Sequence, residues 1–322
     1  MASQSAVVTR STYGFKGPTA VDSDGKHVWV ANYVGNTVTE LLASTGGLVK
    51  VIKGSSFKGG INDLTSDGKH VWVVSFAPST LTELLASSGA LVKVITHGIA
   101  DPEAVTSDGK HVWVANEVGW VTEFVASTGA FVRIIKGSKY QLSAPVAIRS
   151  DHRHVWVANY NYQNNTGNTV TEISASTGAL VQVIKGSSYG FNAPRAITSD
   201  GTYVYVMNTQ GNSITRLTTR EGYLVNVIKG PRYDFNPTGI SSDGTAVWVS
   251  NHSTNSVTEF DATTSLLINV LNGSSYGFDD PQGVSSDGTH VWVTNWNSIT
   301  NGGNSVTEIS AKTGALVQVL KG

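Results

Sequence analysis

The sequence predicts an all-β protein, a single seven-bladed β-propeller with four antiparallel strands per blade. Three observations carry this expectation. A marker, Ser-Asp-Gly followed by two residues and Val-Trp-Val, recurs seven times, with aspartates at Asp24, Asp67, Asp108, Asp151, Asp200, Asp243 and Asp287; the fourth copy is degenerate (Asp151-His152-Arg153) and the fifth has Tyr205 in place of Trp. Successive markers lie 41–49 residues apart, the length of a four-stranded blade. No segment sustains the 3.6-residue apolar period of an amphipathic helix.

One repeat justifies the strands in turn. After Pro194, Arg195-Ala196-Ile197-Thr198 reads as a short first strand. Asp200-Gly201 supplies the positive φ of a tight hairpin turn. Tyr203 to Met207 alternates as a second strand, Thr209 to Asn212 is a turn, and Ser213 to Leu217 and Leu224 to Ile228 are the third and fourth strands. One blade cannot bury both of its faces, whereas a closed ring of seven can. Seven such units use about the whole of residues 1–322, so one domain is expected.

Composition narrows the function classes. The 322 residues carry no cysteine, which excludes disulfides, thiolate catalysis and cysteine–zinc sites. Lys+Arg (22) nearly balances Asp+Glu (23), so the basic excess of a phosphate-binding nucleic-acid protein is missing. No apolar run is long enough for a transmembrane helix, and the first residues do not read as a signal peptide. The chain is therefore expected to be soluble and monomeric, without nucleic-acid or membrane partner, cofactor or metal. Its compartment, cytoplasmic or secreted, is left open.

Val28 to Glu40 reads Val-Trp-Val-Ala-Asn-Tyr-x-x-Asn-Thr-Val-Thr-Glu, and Ser-Thr-Gly-Gly-Leu-Val follows. This resembles the YVTN and NHL type of propeller repeat. The Pro-x-Ala/Gly-Ile opening of several blades is similar to the virginiamycin B lyase superfamily, over residues 13–322. The resemblance implies a seven-bladed propeller of lyase type. In that family histidines follow the leading proline in two blades, and a glutamate follows the second strand. Here no histidine follows the leading residue in any blade, and the second strands end in Asn32, Ser75, Asn116, Asn159, Asn208, Asn251 and Asn295. The family's reaction and its magnesium site are therefore not carried over.

Most chemistry-bearing residues belong to the repeat. His27, His70, His111, His154 and His290 share one position and cannot converge on one metal. Glu40, Glu83, Glu123, Glu172, Glu259 and Glu308 share another, with Arg216 as the exception, and are expected to be solvated or paired with a neighbouring blade. The information lies where the pattern breaks. One variable position follows the leading residue of each blade: Thr19, Asn62, Glu103, Val146, Arg195, Thr238, Gln282. The other opens the loop between the second and third strands: Tyr33, Phe76, Glu117, Tyr160, Thr209, His252, Trp296. Up-and-down strand order puts both at one end of the ring, opposite the uniform Asp-Gly turns, and scaffolds keep function on variable loops.

These positions define a candidate small-molecule site in a central funnel. Glu103 and Glu117 are the expected acid–base pair, His252 a further proton-transfer group, and Arg195 the holder of a carboxylate or oxyanion. Asn62, Asp63, Phe76, Trp120, Tyr160, Gln282 and Trp296 are the expected ligand-binding set. The chemistry would be of lyase, isomerase or cyclase type. The alternatives are a non-catalytic binder of a sugar, peptide or metabolite, and a protein-interaction scaffold. The long loops Asn159 to Asn168 and Asn295 to Asn304 are expected to flank the funnel as lids. Residues 7–15 align with 183–191, an outer strand and its connection, yet Leu316 to Leu320 is expected to supply the outer strand of blade 7.

Overall fold

A computed structural model of the chain describes residues 13–161, 163, 166–300 and 302–322. They form seven four-stranded antiparallel sheets, each in simple sequence order from the inside outward. Blade 1 comprises Pro18–Ser23, His27–Asn32, Thr37–Leu42 and Leu48–Lys53. Blade 7 comprises Pro281–Ser286, His290–Asn297, Gly302–Ser310 and Leu316–Lys321. The innermost strands meet one another around the ring, that of blade 7 against that of blade 1. This is the predicted all-β seven-bladed propeller.

The inner strands leave one edge of backbone unpaired, and buried N–H groups need acceptors. The preceding blade supplies them. Asp22 Oδ2 accepts Ser66 N–H at 2.8 Å, Thr106 Oγ1 accepts Ser150 N–H at 3.2 Å, and Ser241 Oγ accepts Ser286 N–H at 3.0 Å. The closing seam is made alike, with Ser285 Oγ accepting Ser23 N–H at 3.1 Å. On the turn face each marker aspartate folds back on its own hairpin, as Asp24 Oδ1 does on Lys26 and His27 N–H at 2.9 and 2.8 Å.

Leu316–Lys321 takes the outer place of blade 7, as the sequence predicts. Residues 7–12 lie outside the described residues, while Tyr13 and Phe15 form the connection into blade 1. Their rings stack at 5.4 Å, and Phe15 is buried with Trp292 and Leu320. The long loops of blades 4 and 7 are hairpin extensions. Their strands run on past the consensus length to pair Asn161 with Thr166 and Asn297 with Gly302.

The glutamates of the third strands correct an expectation. They are buried rather than solvated, from 0% exposed at Glu123 and Glu172 to 6% at Glu259. Their partners come chiefly from their own blade: His27 Nε2 lies 3.8 Å from Glu40, Arg133 Nε 2.9 Å from Glu123, and Gln182 Nε2 donates to Glu172 at 2.7 Å. The fourth-strand side chain then reaches on to the next blade. Lys50 donates to Ser88 O, Lys93 to Thr128 O, Gln182 to Glu221 O, and Gln318 to Thr45 O across the closing seam. Sequence reading missed this seam because a glutamate repeated on an alternating strand looks the same whether its face is wet or covered by the next blade.

Blade 5 solves the same seam differently. Tyr203, Tyr205 and Arg216 replace histidine, tryptophan and glutamate. The Arg216 guanidinium lies 3.6 Å over the Tyr203 ring and donates to Ser265 Oγ at 2.9 Å. In blade 6, Ala246 stands where other blades carry the histidine, and Glu259 lacks that partner. Burial, then repulsion from Asp243, pushes Glu259 up to about 7. A raised carboxyl stabilises the fold below its unfolded pKa and loses that contribution as pH rises through 7. Glu259→Gln should therefore stabilise the protein at pH 8 by about 1–2 kcal/mol, with no gain at pH 4. Urea midpoints at the two pH values check it.

Candidate functional site

In every blade the second variable position is bonded to the residue two places before the first. The first residue of each loop between the second and third strands donates its N–H to the residue before the blade's leading residue. The series runs Tyr33 to Gly17 O, Phe76 to Gly60 O, Glu117 to Asp101 O, Tyr160 to Ala144 O, Thr209 to Ala193 O, His252 to Asn236 O and Trp296 to Asp280 O, at 2.8–3.3 Å. The backbone thus fixes a ring of paired variable side chains at one end of the molecule. A channel of about 320 Å³ runs inward from it, lined by the innermost strands.

Glu103 and Glu117 are brought together. Glu103 stands on the channel wall of blade 3, where its carboxyl feels the charge of Glu117. Burial, and next the neighbouring Glu117 charge, push Glu103 up to about 7, with Arg195 acting the other way. Two carboxyls in this contact cannot both ionise cheaply, so the pair keeps one proton near neutrality. Arg195 also lines the channel but is exposed at its mouth. Asp101, which adds a further negative charge near Glu103, was missed. Its signal was a carboxylate just before the leading proline, where other blades read Gly17, Gly60, Ala144 or Ala193.

His252 belongs to a second cluster at blades 6 and 7. Its Nε2 lies 2.8 Å from Asp280 Oδ1, and Gln282 Nε2 donates to the same oxygen at 3.0 Å. Asp280 is 6% exposed, and burial raises its pKa while His252 opposes the rise. Asp280 sits at the same position as Asp101 and was missed for the same reason. His252, Gln282 and Trp296 lie at the rim and do not line the channel, whereas Glu103 and Arg195 do.

Other expected ligand-binding residues have partners in the protein. Asn62 Nδ2 donates to Pro102 O at 2.9 Å, and Asp63 accepts N–H bonds from Leu64 at 2.8 Å and Val105 at 3.0 Å, so both staple blade 2 to blade 3 while lining the channel. Burial pushes Asp63 up to about 7, opposed by those two bonds. Asp22 and Arg149 also line this throat and were not singled out. Tyr160 is buried, and its hydroxyl accepts from Gln210 Nε2 at 2.8 Å. Trp120 spends its indole N–H on Gly98 O at 3.2 Å. Phe76 is exposed on the rim. Trp296 stacks on Tyr33 at 6.1 Å. Among the described residues, no group of three or more metal-ligating side chains is assembled.

Known structures share this architecture. A chain of hydrazine synthase from Kuenenia stuttgartiensis matches with TM-score 0.70 at 17% identity, over 96% of this chain and 99% of that one. Virginiamycin B lyase from Staphylococcus aureus matches with TM-score 0.68 at 17% identity, over 88% and 92%. A streptogramin B lyase matches with TM-score 0.67 at 16% identity, over 92% of both chains. No protein-family model matches the chain, and no curated protein does. At these identities the likeness is one of fold: a seven-bladed propeller, as in virginiamycin B lyase.

Proposed function

We propose that the mouth of the channel binds a small carboxylate- or oxyanion-bearing molecule and moves a proton on it, in chemistry of lyase or isomerase type. The observation that carries this reading is the Glu103–Glu117 pair, in which burial and mutual repulsion hold a proton near pH 7. A carboxyl poised near neutrality can both donate and accept a proton. Such perturbed pairs in a cleft are the usual mark of a working site. Arg195 is the charge complement for an anionic group on the ligand. The distant fold likeness to two lyases is compatible with this chemistry and does not select a substrate.

The test is a screen of small carboxylic acids in deuterated buffer, following loss of carbon-bound protons by NMR. Exchange of one acid is expected, with Glu103→Gln and Glu117→Gln each slowing it by about 100-fold or more. Because Arg195 is exposed, Arg195→Ala should weaken binding by only about 1–2 kcal/mol. Binding and exchange untouched by all three substitutions would sink the reading.

A further inference from the structure

A second cavity opens on the same face between blades 7, 1 and 2, with a volume of about 400 Å³. Its walls are Tyr33, Ile61 and Trp296, with Thr19, Asn62 and Ser298 as neutral polar groups, and no charged residue lines it. It shares Thr19 and Asn62 with the channel, and Asn62 precedes Glu103 in the next blade around the mouth. The two cavities therefore form one continuous surface with a charged half and a neutral half.

The aromatic wall is held in place. The Tyr33 ring lies over the backbone of Gly60, where an added Cβ would sit 2.4 Å from the ring, and its other neighbour is Trp296 at 6.1 Å with 28° between planes. Tyr33 is still 38% exposed. Two polar atoms here are buried with no partner among the described residues: the Trp296 indole N–H and the Thr19 hydroxyl. A buried polar atom left unpaired is penalised, and a polar ligand that reaches it relieves that penalty.

We infer that this cavity is a subsite for a neutral sugar ring. A pyranose has an apolar C–H face to lay on an aromatic ring, and hydroxyls that both accept and donate. The first suits Tyr33 and Trp296. The second suits an indole donor together with Thr19, Asn62 and Ser298. A purely aromatic ligand would leave the Trp296 N–H unpaired, and an ionic ligand would meet no counter-charge. The inference rests on this face being the ligand face, as in the proposed function, and names the class of molecule that it takes: a saccharide whose uncharged ring sits here while an acidic group reaches Glu103 and Arg195.

The experiment is calorimetric titration of the full chain with cellotetraose, mannotetraose and chitotetraose. At least one is expected to bind, with Trp296→Ala and Tyr33→Ala each weakening it by about tenfold or more. Trp296→Phe, which keeps a ring and loses the N–H, should cost only part of that. Melting curves of each variant confirm that the fold is kept. Proton exchange is scored separately: sugar binding without exchange removes only the acid–base reading, and exchange without sugar binding removes only the subsite. No binding by any of the three at about 10 mM, binding indifferent to Trp296 and Tyr33, or stronger capture of a proline-rich peptide by the same cavity would each overturn the inference.

Discussion

Removing residues 316–322 should unfold blade 7 and with it the closed ring, an expected loss on the order of 5 kcal/mol or more. The segment pairs along Gly302–Ser310 from Ser305 to Ile309, and it buries Leu320 with Phe15, Val28 and Trp292. Gln318 also makes the closing seam, donating to Glu308 Oε2 at 2.6 Å and to Thr45 O at 2.9 Å. Losing one buried leucine costs about 2–5 kcal/mol before the ladder bonds are counted. Removing residues 1–10 should cost far less, because the outer place of blade 7 is already filled. Thermal melts of the two truncations check this; equal losses would show that the N-terminal segment supplies the seam.

The second large effect is an inverted pH dependence. Many proteins lose stability on acidification because their carboxylates are favoured in the ionised form. Here burial raises Asp22, Glu40, Asp63, Glu83, Glu103, Glu123, Glu172, Glu259, Asp280 and Glu308, while Asp261 is lowered by bonds from Thr264. The folded chain therefore holds protons that the unfolded chain releases. Their contribution is complete below pH 4 and is lost as pH rises through the folded values, about 7 for Asp63, Glu103 and Glu259. Stability should fall from pH 5 to pH 8 by on the order of 4–8 kcal/mol, since each tenfold weakening of an acid on folding is worth about 1.4 kcal/mol and Asp63, Glu103 and Glu259 act together. Urea unfolding at pH 5, 6.5 and 8 measures it. A midpoint that is flat or rises with pH would contradict this account of the buried carboxyls.

The fold was legible because repetition amplifies weak signals. A single Asp-Gly turn proves little, but six of them and a degenerate seventh at near-constant spacing leave few alternatives. Subtracting the repeat also located the variable face, and it put Glu103 and Glu117 on that face although they lie on different elements of blade 3. What remained hidden depended on neighbours across the seams. Nothing in the repeat decided between solvated and seam-covered positions for Glu40 and its equivalents, or said that Asn62 would donate to Pro102 O. Tyr160 diverges from the repeat as Trp296 does, yet one is buried against Gln210 and the other walls a cavity. Asp101 and Asp280 escaped because the position before the leading residue was read as part of a connection, whereas its carbonyl is the anchor for the variable loop.

The central claim is that Glu103, half-buried beside Glu117, titrates near neutrality. Carbon-detected NMR titration of glutamate-labelled protein measures this directly, with Glu103→Gln and Glu117→Gln for assignment. The account predicts one side-chain carboxyl, absent from Glu103→Gln, titrating at about 7, and moving down in Glu117→Gln while staying above the ordinary glutamate value because burial remains. If Glu103 titrates in the ordinary range and is indifferent to Glu117→Gln, the pair holds no proton and the acid–base site falls.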